Sequence, residues 1–117
     1  MLTIQNGSEK FTVALDMCCF GVALTIRDKD GIVFSQAINA SDVGMLLDVC
    51  RSRSSHFYIC GGDLNVACHD GEKGLKLIWW NETGNGSVHL SDYDVIVFEE
   101  ALRSYCRMLM RTPSDVA

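Results

Sequence analysis

The chain reads as an α+β protein made of two tandem ββββα repeats, antiparallel sheets packed with one helix each. Three observations carry that reading. Residues 11–31 match residues 64–84 at constant spacing, so that Val13 falls on Val66, Ala14 on Ala67, Gly21 on Gly74, Leu24 on Leu77 and Gly31 on Gly84. Both matching stretches alternate apolar and polar residues with the period of a strand that buries one face. Each repeat then closes on a serine followed by apolar residues at helical spacing. Beyond residue 31 a three-residue deletion brings Ser41-Asp42 onto Ser91-Asp92. A self-similar period of this length marks units that cannot bury their apolar faces alone.

The elements follow in order. Residues 2–5 form a short strand, and Asn6-Gly7-Ser8 is a hairpin turn, because Asn-Gly tolerates the positive φ such turns require. In residues 11–16, Phe11, Val13 and Leu15 alternate with Thr12, Ala14 and Asp16. A linker at Cys18-Cys19-Phe20 leads to a strand at 22–27, where Val22, Leu24 and Ile26 share a face. Asp28-Lys29-Asp30-Gly31 is a polar turn, and residues 32–38 form a fourth strand with Ile32, Phe34 and Ile38 on one side. Ser41 is the expected N-cap of a helix whose stripe is Val43, Leu46, Leu47 and Cys50. The polar run 51–55 links the repeats.

The second repeat retraces this order, with strands at 56–60, 64–69, 75–81 and 87–90. Gly61-Gly62, residues 70–74 and the glycine-rich segment 82–86 are its turns. Ser91 caps the last helix, with Asp94 at the third position to suit the positive helix end. Val95, Phe98, Leu102, Tyr105 and Leu109 form its buried stripe, and Glu99 and Arg103 can pair across one turn. The expected organisation is a single domain over residues 1–117. It comprises half-repeats at 1–53 and 56–111 and a tail at 112–117, with Pro113 ending regular structure. One proline and 48% hydrophobic residues suit a packed globule.

Composition narrows function. Ten basic against fifteen acidic residues leave a net charge of −5, which opposes polyanions unless the cations gather on one face. The apolar runs fall well short of the roughly 20 residues that span a bilayer. The opening Met-Leu-Thr-Ile-Gln-Asn has neither the basic start nor the apolar stretch of a signal peptide, so a cytoplasmic location is expected. Six cysteines, at 18, 19, 50, 60, 68 and 106, include no Cys-x-x-Cys pair. Cys60, Cys68 and His69, with His56, come nearest to a metal-ligand group. Core thiols explain them more simply, and no metal or cofactor is expected. The Asn-x-Ser/Thr triplets at Asn6, Asn39, Asn81 and Asn85 mark turns.

Catalytic patterns are sparse. Cys68 and His69 are adjacent and on a strand point to opposite faces, so they cannot act as nucleophile and base on one another. Asp63, His69, Asp70 and Glu72 suit a solvated hairpin. Gly61-Gly62 and Gly84-Asn85-Gly86 lack the lysine and helix start of a phosphate loop. No catalytic residue is assigned and the chain is read as non-enzymatic.

A ββββα unit used twice, with a capped helix after the fourth strand, resembles the Whirly and Pur-type single-stranded nucleic-acid-binding fold. The resemblance covers nearly the whole chain as element order, without a residue signature. It implies sheet faces that bind single strands by aromatic stacking and basic contacts. If Leu75, Leu77 and Trp79 face the helix, then Lys76, Ile78 and Trp80 face away, and the repeat places Arg27 at the position equivalent to Trp80. His69 and His89 could join them. Arg27, Lys76, Trp79, Trp80, His69 and His89 are therefore the candidate binding surface.

The same outward faces also carry Ala14, Asp16, Ala23, Thr25, Ser35 and Ala37, which make no phosphate track. Arg103, Arg107 and Arg111 form a solvated helix stripe that suits the helix dipole. The chain is accordingly read as a small acidic interaction or regulatory protein, an adaptor or inhibitor. It would work through protein–protein contacts of a sheet face or an unguarded edge, including those of a homodimer. Single-stranded nucleic-acid binding is the alternative.

Overall fold

The computed structural model describes residues 2–6, 8–19, 21–52, 57–60, 63–67, 73–81 and 84–110. The fold is α+β. Strands β1 (Leu2–Asn6), β2 (Glu9–Cys18), β3 (Gly21–Asp28) and β4 (Gly31–Ile38) form one antiparallel meander, followed by helix α1 (Ala40–Ser52). The second unit has β5 (Phe57–Cys60), β6 (Leu64–Ala67), β7 (Leu75–Asn81), β8 (Gly84–Leu90) and helix α2 (Asp92–Met110). The expectation of two equal units is met in part. The second sheet is uneven, since β5 and β6 have four residues each where β7 and β8 have seven.

Alternation selects the inner faces. Phe11 and Val13 of β2, Val22, Leu24 and Ile26 of β3, and Phe34 and Ile38 of β4 are all buried. Leu75, Leu77 and Trp79 of β7 and Val88 and Leu90 of β8 answer them from the second sheet. With Val43, Leu46 and Cys50 of α1 and Val95, Phe98 and Leu102 of α2 they make one continuous apolar cluster. Each fully buried aliphatic side chain contributes about 1.5–3 kcal/mol. Tyr105 and Leu109 only border this cluster.

The helices are shared between the sheets, which departs from the expectation of one helix for each sheet. α1 touches β3 and β4 but also β5, while α2 touches β8 but also β1 and β2, and the helices pack on one another. The Tyr105 hydroxyl donates to the Leu15 carbonyl at 2.6 Å, tying the second unit's helix to the first unit's sheet. A four-stranded sheet has more apolar face than one helix can cover, so each face is closed by parts of both units.

Matching residues of the units take matching roles. Gly21 and Gly74 stand at the entries to β3 and β7 with φ of 142° and 87°. A Cβ on Gly21 would overlap the carbonyl oxygen of Ile38, and one on Gly74 that of Leu90. Those acceptors are the last residues of β4 and β8, so the spacing between units has shortened by one residue rather than three. The cause is a bulge. Ile26 pairs with Phe34 and Arg27 with Ile32, leaving Val33 extra on β4, whereas β7 and β8 pair without interruption. The bulge also turns Ile32 out to solvent, away from the face it was expected to share with Phe34.

The same shift corrects the first cap. Asn39, rather than Ser41, caps α1: its side-chain oxygen accepts from Asp42 N at 2.9 Å and its carbonyl from Val43 N at 3.0 Å. Ser41 already lies in the first turn. In α2, Ser91 Oγ accepts from Asp94 N at 3.2 Å and Asp94 Oδ2 accepts from Ser91 N at 3.1 Å, a reciprocal capping box. Other boundaries move too. β2 runs on to Cys18, β8 begins at Gly84 inside the expected turn, and Arg51 and Ser52 are helical rather than linker.

Candidate binding face

The outer face of the second sheet is built by β7 and β8. Their register sets Lys76 opposite His89, Ile78 opposite Ser87, and Trp80 opposite Asn85. Inward and outward residues alternate as expected: Trp79 is 5% exposed and Trp80 is 45% exposed. The Trp80 amide donates to the Asp63 carbonyl at 3.0 Å, holding the backbone beneath the indole. Lys76 and Trp80 lie four residues apart on one strand face, so about 13 Å separates their Cα atoms.

The expected surface is therefore divided. Trp79 does not belong to it. Its indole lies over Gly86, which offers no side chain, and its ring centroid is 5.9 Å from that of Phe34 in the first sheet. Trp79 is a core residue because β7 alternates, and a surface role for both tryptophans is incompatible with that period. His89 is on the face, but its Nε2 bonds the Lys73 carbonyl at 2.9 Å and so closes the loop that enters β7. Arg27 lies on the first sheet at the position equivalent to Trp80, opposite Thr12 and Ile32. His69 lies outside the described residues, as do His56 and Cys68 of the ligand group weighed for metal.

The middle rows of the first sheet's outer face carry small side chains that are neutral or acidic. Ala14, Thr25 and Ser35 stand in one row and Asp16, Ala23 and Ala37 in the next, with the Thr25 and Ser35 hydroxyls 3.3 Å apart. Lys10 and Lys29, absent from the sequence-based candidates, gather near Arg27 at one end of this sheet. They line a 480 Å³ depression with Ser8, Glu9 and Asp28. Two carboxylates beside two ammonium groups cancel, so no cationic track forms. Lys10 stands at the start of β2 and Lys29 sits in the turn after β3, so no single periodic stretch links them and only the tertiary arrangement brings them together.

A larger cleft of 580 Å³ opens between the sheets, where Glu9, Phe11 and Asp28 of the first face Trp79, Asn85 and Ser87 of the second. Among the described residues no group of three or more His, Cys, Asp or Glu side chains is placed to hold a metal ion. Among the described residues Cys18, Cys19 and Cys106 carry free thiols. No helix among the described residues is long and apolar enough to cross a membrane.

Neither a family model, nor a curated protein, nor a solved structure matches the chain. Its functional reading rests on the geometry of these faces.

Proposed function

We propose that this protein is a non-catalytic interaction module, an adaptor or inhibitor that binds a protein partner through the outer face and edges of its sheets. The observation that carries the reading is Trp80, a large apolar side chain 45% exposed on a face where Lys76 is the one cation among the described residues. Burying an indole on a protein surface gives much contact area at small entropic cost, and tryptophan is enriched among residues that dominate interfaces. The edge strand β4 supports it. Beyond its bulge at Val33, residues 34–38 contain no proline and no charged side chain to discourage pairing with another strand. This reading takes the two units as copies of one ββββα motif in which the second has specialised its outer face.

The test is capture of binding proteins by the immobilised full chain, with Trp80→Ala and Trp80→Phe beside the wild type. Specific partners should be lost with alanine and largely kept with phenylalanine. Equal capture by all three would sink the role of this face.

The placement of Lys76, His89 and Trp80 on one sheet face favours a second reading, single-stranded nucleic-acid binding by stacking and phosphate contact, in line with the Whirly and Pur-type resemblance. A fluorescent oligonucleotide of about 30 nucleotides, titrated at low salt and again at higher salt, separates the two. Salt-sensitive micromolar binding that falls in Lys76→Ala and Trp80→Ala supports it. No binding at low salt, where attraction is strongest, removes it.

A further inference from the structure

The two helices occupy equivalent places, and their outward faces differ. With Asn39 and Ser91 as caps, Val43 corresponds to Val95, Leu46 to Phe98 and Cys50 to Leu102, and all six are buried. The solvent-facing positions Ser41, Gly44, Met45 and Asp48 then correspond to Tyr93, Ile96, Val97 and Glu100. At three of these positions α1 carries a small or polar residue, Ser41, Gly44 and Asp48, and only the partly buried Met45 is apolar. In α2 it presents Tyr93, 73% exposed, and Ile96, 57% exposed, with Met108 half exposed farther along the helix. The apolar surface continues past Val97 into a 110 Å³ notch against β1 and β2, bordered by Leu2, Leu15, Ala101 and Tyr105. A contiguous apolar patch that core packing does not require marks a contact surface.

The charges on α2 indicate what covers it. Its first half holds Asp92, Asp94, Glu99 and Glu100 and no cation, while its second half holds Arg103 and Arg107 and no anion. Glu99 is satisfied within the chain by Arg103 at 2.9 Å, but Glu100 and Arg107 are exposed on the outward face. The pattern is its own complement when a second helix runs antiparallel, which also opposes the two helix dipoles.

We infer that the outward face of α2 binds a second copy of this chain across a two-fold axis, with the helices antiparallel. Tyr93 then meets the region of Met108 on the other copy, the acidic first half of each helix faces the basic second half of its mate, and the small Ala101 lies near the axis. The interface is isologous, so it closes as a dimer rather than growing into a filament. It leaves the outer sheet faces and Trp80 free for another partner.

Sedimentation equilibrium on the full chain in reducing buffer, from about 1 to about 300 µM, tests it. The wild type should approach twice its 12.9 kDa mass. Ile96→Asp and Tyr93→Ser should each raise the dissociation constant at least about tenfold with unchanged circular dichroism, since both side chains lie outside the core. Trp80→Ala should leave the equilibrium where it was. A wild type that stays monomeric throughout overturns the inference, as does a dimer indifferent to both α2 variants or one dissolved by Trp80→Ala.

Discussion

At the scale of single residues, Gly74 carries more constraint than any charged group on the candidate face. Its φ of 87° is open to few side chains, and the Leu90 carbonyl occupies the space a Cβ would need. Its amide also donates to Asp92 Oδ1 at 2.8 Å, linking the entry of β7 to the start of α2. Gly74→Ala should therefore cost about 1–3 kcal/mol, read as a lowered urea midpoint at unchanged slope. Gly21→Ala should behave alike, because Gly21 meets the Ile38 carbonyl in the same way. Trp80→Ala belongs to the opposite class, a change felt more in binding than in folding.

At the scale of elements, the caps give the sharpest expectation. Ser91→Ala should lower stability by about 1 kcal/mol, since it leaves the Asp94 amide without its acceptor. Asn39→Ala should cost a similar amount, whereas Ser41→Ala should stay within about 0.5 kcal/mol because Ser41 is exposed in the first turn. Thermal melts of the three variants decide which residue caps α1. If Ser41→Ala proves the costlier change, the cap assignment is wrong.

The β4 bulge belongs to this scale as well. The extra Val33 restores the match between strand ends and caps, and it places Phe34 at the position that Gly86 takes in the second unit. The partners compensate in size. Phe34 pairs with Ile26 in the first sheet, and Gly86 pairs with Trp79 in the second, so each pair combines a larger ring with a smaller neighbour.

At the scale of the whole molecule, Phe34 and Trp79 join the two units, their rings 5.9 Å apart within the shared cluster. Phe34→Ala should cost about 3–5 kcal/mol, and the loss should not stay local. Far-ultraviolet circular dichroism and tryptophan fluorescence should follow one common unfolding transition, although the substitution lies in the first unit and both tryptophans in the second. Separate midpoints would show that each unit holds its own core. The crossing of α2 onto β1 and β2 argues for a common transition, because unfolding either sheet uncovers the same helix.

Several features were legible before the tertiary structure. Alternation alone places Leu24, Leu77 and Trp79 inward and Lys76 and Trp80 outward, because the period of two is a property of the extended backbone. Ser91 with Asp94 announces α2, since a capping box is closed within four residues. Only the tertiary structure decided that Asn39 and not Ser41 caps α1, because a bulge in β4 shifts the register and a bulge leaves no periodic mark. It also decided that Trp79 meets Phe34 and Gly86, that His89 closes a loop, and that Lys10 and Lys29 line one depression. These are contacts between residues far apart in the chain. Local chemistry sets which way a side chain points, but only the packing of the two units sets what it meets.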